Sequence, residues 1–208
     1  MLDRRAMRAD ARRNRDQILA AAHALFVAHG LNTPMEEIAK AASVGVGTLY
    51  RRFPDREALI HAVAEDTVRR LRDAGRDAWE NAPDGWTAFT GYVRRTAEAR
   101  LCVLQSAADP RLREAIDGDP ELSAARLEVI ELFDRMVERA QAEGSMRADV
   151  GAGDVNLLLS MLIRVPPEVP GDLAEATSGR FLELMLDGLR AASDSPLPGR
   201  ALATADLM

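Results

Sequence analysis

Cysteine is almost absent. Cys102 is the one thiol in 208 residues, so no disulfide can close within the chain, and a reducing, cytoplasmic location is the default expectation. Lysine is nearly missing too, with Lys40 standing beside 26 arginines; no function follows from that skew. Aromatic residues make up only 4% of the chain, and β-branched runs are lacking, which disfavours a sheet. No apolar run approaches the roughly 20 residues that span a bilayer. The N-terminus is charged and has no apolar leader core. Catalytic signatures are missing as well: there is no nucleophile elbow, glycine-rich phosphate loop, HExxH or cysteine pair. Glu36-Glu37 and Glu65-Asp66 are neighbours on helices and point apart, as solvated groups do. His23 and His29 fall on different helical faces. No catalytic residue, metal or cofactor is therefore expected.

What is present favours helix. Alanine, leucine and arginine dominate, and 47% of the chain is hydrophobic. The length suits one large or two small domains. Charge is unevenly spread. Residues 1–60 carry ten Lys+Arg against seven Asp+Glu, which leaves 17 against 26 for residues 61–208. A basic head on an acidic body turns the head toward nucleic acid. Six arginines (Arg4, Arg5, Arg8, Arg12, Arg13 and Arg15) crowd the first 15 residues. A solubilising face and phosphate contact are equally open readings of that cluster.

The organising stretch is 33–59. Thr33 followed by Pro34 and Glu36 has the form of a capping box with proline at the first helical position. Met35, Ile38, Ala39 and Ala42 then recur at helical spacing. Ser43-Val44-Gly45 breaks the run, and a second short helix is predicted over 46–53, before Pro54. Two short helices about a tight turn form the helix-turn-helix plan, whose second helix enters the DNA major groove. At about 100° per residue, Leu49 and Phe53 share the buried side. Gly47 and Arg51 lie opposite, Thr48 and Tyr50 on the flanks, and Arg52 near the edge. Gly47 leaves the backbone room to approach DNA. Arg51 suits a guanine edge or a phosphate, and Thr48 and Tyr50 suit phosphate oxygens or a thymine methyl. Asp55 is the expected N-cap of the next helix, where Arg56 and the helix end could hold a phosphate together.

These residues resemble the DNA-binding domain of the TetR family of transcriptional regulators. The resemblance rests on Ile18-Leu19, Ala22, Leu25-Phe26, Gly30, Ile38-Ala39, Ala42, Val44, Gly47-Thr48-Leu49-Tyr50, Phe53 and Glu57-Ala58-Leu59. The family usually has glycine where Ser43 stands, serine at Gly45 and lysine at Arg56. Ser43 is expected to carry strain if the turn demands positive φ. The implied fold is all-α: a three-helix helix-turn-helix DNA-binding domain (1–60), a larger helical ligand-binding and dimerisation domain (61–192), and a tail (193–208) expected to be disordered. The implied DNA-contacting set is Thr33, Gly45, Val46, Gly47, Thr48, Tyr50, Arg51, Arg52 and Arg56. The implied function is a homodimeric repressor released from a palindromic operator by a small apolar ligand. The alternative is a helical enzyme or interaction scaffold with a basic head.

Beyond the head, a helix of over twenty residues from 55 to 79 would link DNA to the body. Helices are predicted over 86–108, 110–116, 120–143, 154–164 and 171–192. Phe89, Val93, Ala97, Leu101 and Leu104 make one apolar face. The last two helices are strongly apolar, and the resemblance implies a four-helix interface there with a second subunit. Trp79, Trp86, Phe89, Tyr92, Cys102, Phe133 and Met136 are the candidate ligand-lining residues, although core filling is the simpler reading of any single one. Cys102 lacks a neighbouring base and reads as an inert thiol.

Overall fold

The computed structural model describes residues 4–98, 110–162, 171–191 and 195–207. They form helices α1 (Arg4–His29), α2 (Met35–Ala41), α3 (Val46–Arg52), α4 (Arg56–Asn81), α5 (Gly85–Glu98), α6 (Pro110–Asp117), α7 (Pro120–Ala142), α8 (Ala152–Leu162) and α9 (Gly171–Gly188). A short 3-10 turn, Thr204–Leu207, follows. No strand occurs among the described residues; one antiparallel bridge joins Met146 to Arg190. The fold is all-α, as the composition indicates.

Two hydrophobic clusters organise the chain. The first gathers Ile18, Leu19, Ala22 and Phe26 of α1, Met35, Ile38 and Ala39 of α2, Leu49 of α3, and the first turns of α4. It also takes Leu112 and Ile116 from α6 and Leu122 from α7. The head's core thus extends into the second half of the chain. The second cluster joins α4, α5, α7, α8 and α9 around Phe89, Val93, Phe133 and Met136.

α4 runs through both clusters. Asp55 caps it, accepting the Ala58 N–H at 2.8 Å as expected. Its 26 residues span about 39 Å. Arg76 reaches Glu128 of α7, with its Nε donating at 2.6 Å. Asp119 caps α7, accepting from Glu121 N–H and Leu122 N–H. His61 of α4 stands 3.3 Å from the same carboxylate. The Leu122 N–H is the chief reason that Asp119 titrates below its ordinary range, and His61 adds to it.

Two expectations are corrected here. Thr33 does not cap α2. The helix is preceded by Pro34 with no side-chain cap, because the Thr33 hydroxyl turns inward and donates to the Gly30 carbonyl at 2.8 Å. The tail is not disordered over 195–207: Leu197 and Leu202 donate backbone N–H groups to Asp149 and Asp154, and Thr204 is buried. The predicted face residues Leu101 and Leu104, and the candidate Cys102, lie outside the described residues.

Candidate nucleic-acid interface

The turn between α2 and α3 is built from backbone. The Val44 N–H donates to Ala39 O at 3.0 Å and the Ser43 N–H to Lys40 O at 3.1 Å. That pair of bonds is a Schellman motif with Ser43 at the left-handed position. Its φ is 55°, the one positive value at a non-glycine residue among those described. Val44, the next residue, packs half-buried against the head's core and locks the turn.

α3 follows from Gly45, an extended N-cap with no side-chain bond. The Gly45 carbonyl accepts Thr48 N–H and Leu49 N–H at 2.8 and 3.1 Å. Leu49 is fully buried and Phe53 nearly so. They fix which side of α3 faces out. On that side Val46 and Tyr50 are 39% and 42% exposed. Gly45, Gly47, Arg51 and Arg52 are exposed, with Thr48 half-buried. A Cβ placed on Gly47 would meet nothing within 4 Å. The Arg51 Nη2 donates to Thr48 Oγ1 at 3.0 Å, a single bond that leaves most of its planar fork available. The two cations also lie at the C-terminal end of α3, where the helix dipole favours them.

Arg56 and Thr33 are placed otherwise than expected. The Arg56 Nη1 donates to Leu31 O at 2.9 Å and also to Thr33 O. The guanidinium is half-buried and clamps the loop between α1 and α2. The start of α4 holds a carboxylate of its own, Asp55. A phosphate at that point would meet an occupied helix end and a cation already engaged. Thr33 is 3% exposed with its hydroxyl bonded inside. Of the basic N-terminal residues, Arg13 pairs with Asp10, and Arg15 lies 3.6 Å from Glu65 of α4.

The aromatic candidates in the body come together. Phe89 lies 5.7 Å from Trp86 and 5.9 Å from Phe133, and Tyr92 lies 5.8 Å from Phe133, all tilted ring pairs. Phe89, Tyr92, Phe133 and Met136 are buried, and burial pushes the Tyr92 hydroxyl well above the usual phenol range. The two tryptophans sit at the rim. Arg135 stacks 4.1 Å from the Trp79 ring centroid, and Arg190 4.8 Å from that of Trp86.

Comparison with known proteins decides the class. Residues 18–63 match the family of bacterial regulatory proteins called tetR, and residues 84–191 match the C-terminal domain of SbtR-like transcriptional regulators. The TetR transcriptional regulator SCO0520 from Streptomyces coelicolor is 32% identical, with 86% of this chain and 99% of that one covered at a TM-score of 0.57. The chain belongs to the TetR family. A TetR regulator from Mycobacterium vanbaalenii is 34% identical over 88% of this chain and 99% of that one, with a TM-score of 0.55. An HTH-type transcriptional regulator of Staphylococcus aureus shares 45% identity over 60 residues, which is 28% of this chain and 32% of that protein. The match thus spans about a third of the length of such curated relatives.

This TetR-family chain is a DNA-binding transcriptional regulator and not an enzyme. No described helix is long and apolar enough to cross a membrane. Among the described residues, no group of three His, Cys, Asp or Glu could hold a metal ion. Sequence reasoning missed the contacts that tie α6 to the head. Arg111 Nη1 donates to Asn32 Oδ1 at 3.0 Å, while Leu112 and Ile116 enter the head's core. Their four-residue spacing marked an apolar face, but nothing local named its partner.

Proposed function

We propose that two copies of this TetR-family chain join through α8 and α9 and bind a palindromic operator as a repressor in the cytoplasm. The supporting observation is the open outward side of α3, held in register by fully buried Leu49. Residues 1–60 dock on DNA. Residues 61–192 hold the ligand and the partner subunit. Gly45, Val46, Gly47, Thr48, Tyr50, Arg51 and Arg52 face the major groove. Thr33 and Arg56 act from inside, shaping the loop that carries α2. Support for the second copy comes from apolar side chains left uncovered on α8 and α9: Leu157, Leu158, Met161, Phe181 and Leu184. A small, mostly apolar ligand is received beside the Phe89–Phe133 cluster. It shifts the heads by binding one body conformation better than the other.

Fluorescence anisotropy on duplexes recovered by genomic footprinting tests this reading. Binding should be salt-dependent and specific, with one dimer per palindrome. Tyr50→Ala should weaken it without unfolding the protein. A chain that binds the recovered duplexes no better than random DNA overturns the proposal.

A further inference from the structure

α8 begins without a capping side chain. The residue before it is Gly151, so its first-turn N–H groups lack the oxygen that Ser, Asp or Asn would supply. The C-terminal segment supplies one instead. The Leu202 carbonyl accepts the Gly153 N–H at 2.9 Å. The Leu202 N–H donates to Asp154 Oδ2 at 3.0 Å, and the same oxygen takes the Gly151 N–H at 2.9 Å. Asp154 and Leu202 thus divide the work of a capping box, with one member 48 residues away in the chain. The missing side chains make room for this. A Cβ on Gly153 would stand 2.5 Å from Ala203 O and 2.7 Å from Leu202 O, and one on Gly151 would overlap Leu202 O.

The same corner holds the end of α9. Arg147 donates its backbone N–H to Leu189 O at 3.1 Å and its Nη2 to Ser195 O at 2.9 Å. Asp149, paired with that guanidinium, takes the Leu197 N–H at 2.8 Å. The Thr204 hydroxyl donates to Asp134 of α7. α8 itself is weakly anchored. It has 11 residues, and Gly153 and Val155 are its buried ones. A helix that short holds its place through its ends and its neighbours. Its outward residues Leu157, Leu158 and Met161 are apolar, and exposed Leu197 of the C-terminal segment adds to that character.

We infer that residues 195–207 form a strap that sets the subunit face. Docked as the missing cap of α8, the strap fixes that helix against the end of α9, so that a second copy of the chain meets a formed surface. This rests on the homodimer reading above.

Sedimentation velocity tests it on four proteins: the full chain, a chain ending at residue 194, and Gly153→Ala in each. The truncated chain should show a dimer dissociation constant raised about tenfold or more. Gly153→Ala should do the same in the full chain by expelling the strap, and nothing further in the truncated one. Alanine is the better helix former, so an effect confined to propensity would run the other way. Hydrogen exchange at the backbone N–H of position 153 should quicken in the truncated chain and in full-length Gly153→Ala, while overall helix content holds. If the truncated chain and full-length Gly153→Ala dimerise as tightly as the full chain, the strap has no such role, and the homodimer stands. If the full chain is itself monomeric at every concentration, the homodimer reading fails first.

Discussion

Arg51 and Arg56 carry the same guanidinium to different ends. Arg51 is exposed on α3 with one hydroxyl partner, Thr48. Arg56 is half-buried and donates to the carbonyls of Leu31 and Thr33. Removing Arg51 leaves nothing buried and unpaired, so Arg51→Ala should change stability by less than about 0.5 kcal/mol. Its operator affinity should fall by about 1–3 kcal/mol, with preference relaxed at one base pair. Arg56→Ala should do the reverse. Two loop carbonyls lose their donor, and the head should lose about 1–3 kcal/mol of stability. Urea melts and anisotropy titrations on both variants separate the cases, and an Arg56→Ala head that melts like wild type removes the clamp. The buried side of α3 was legible from periodicity alone, because Leu49 obeys helical geometry and Phe53, an extended C-cap just past Arg52, still donates its N–H to Leu49 O and is buried with it. Thr33 was not legible. Its spacing to Glu36 imitates a capping box, but the decision lies with Gly30 O, a local acceptor the pattern does not weigh. Ser43 was legible as a position of strain, and its φ of 55° agrees.

Elements are joined in ways that local sequence does not announce. α6 closes the head's core from the far side of the chain, with Ile116 2% exposed. Ile116→Ala should therefore cost about 2–5 kcal/mol. It should also weaken operator binding although α6 bears no proposed DNA contact. Chemical unfolding and DNA titration on one preparation check both; unchanged head stability would separate α6 from the head. The strap went unread for a different reason. It has no period, and its Pro, Gly, Ser and Thr suit disorder, but its N–H groups find carboxylates already fixed on the body. That chemistry gives it a pH dependence. Asp149 of the body titrates low, chiefly through Arg147 and then through the Leu197 N–H of the strap, while within the strap Asp206 is held down to about 2, chiefly by Arg200 and then by the Ala203 N–H. A carboxylate depressed in the folded state stabilises above its unfolded pKa, near 3.9. The contribution is lost as pH falls through the folded value. Strap docking should therefore be constant at neutral pH and weaken from about pH 4 toward 2. Amide exchange at Leu197, whose N–H donates to Asp149, should show this, and Asp149→Asn should flatten the profile.

The whole molecule divides its charge and its apolar surface between two ends. Basic residues outnumber acidic ones in the first 60 residues but not in the rest, and five of the nine exposed large apolar side chains among the described residues lie on α8 and α9. In the dimer proposed above, one end meets a polyanion and the other a copy of itself, so that the second contact multiplies the first. Two heads in such a dimer would bind a palindrome with the effective concentration of a tethered pair, a gain of about a hundredfold or more over a single head. Leu184 is the place to separate the two effects. It is 70% exposed on α9, far in sequence from the head's core, so a charge there disturbs no buried packing within the subunit. In a subunit interface the same charge would be desolvated without a partner. Leu184→Arg should therefore yield a monomer with the melting temperature of an intact head. Its affinity for a full palindrome should drop to that of an isolated half-site, about a hundredfold or more below the parent. Half-site binding itself should be unchanged. A Leu184→Arg protein that sediments as a dimer moves the subunit contact off this face. A monomeric one that keeps full palindrome affinity removes the link between pairing and operator choice.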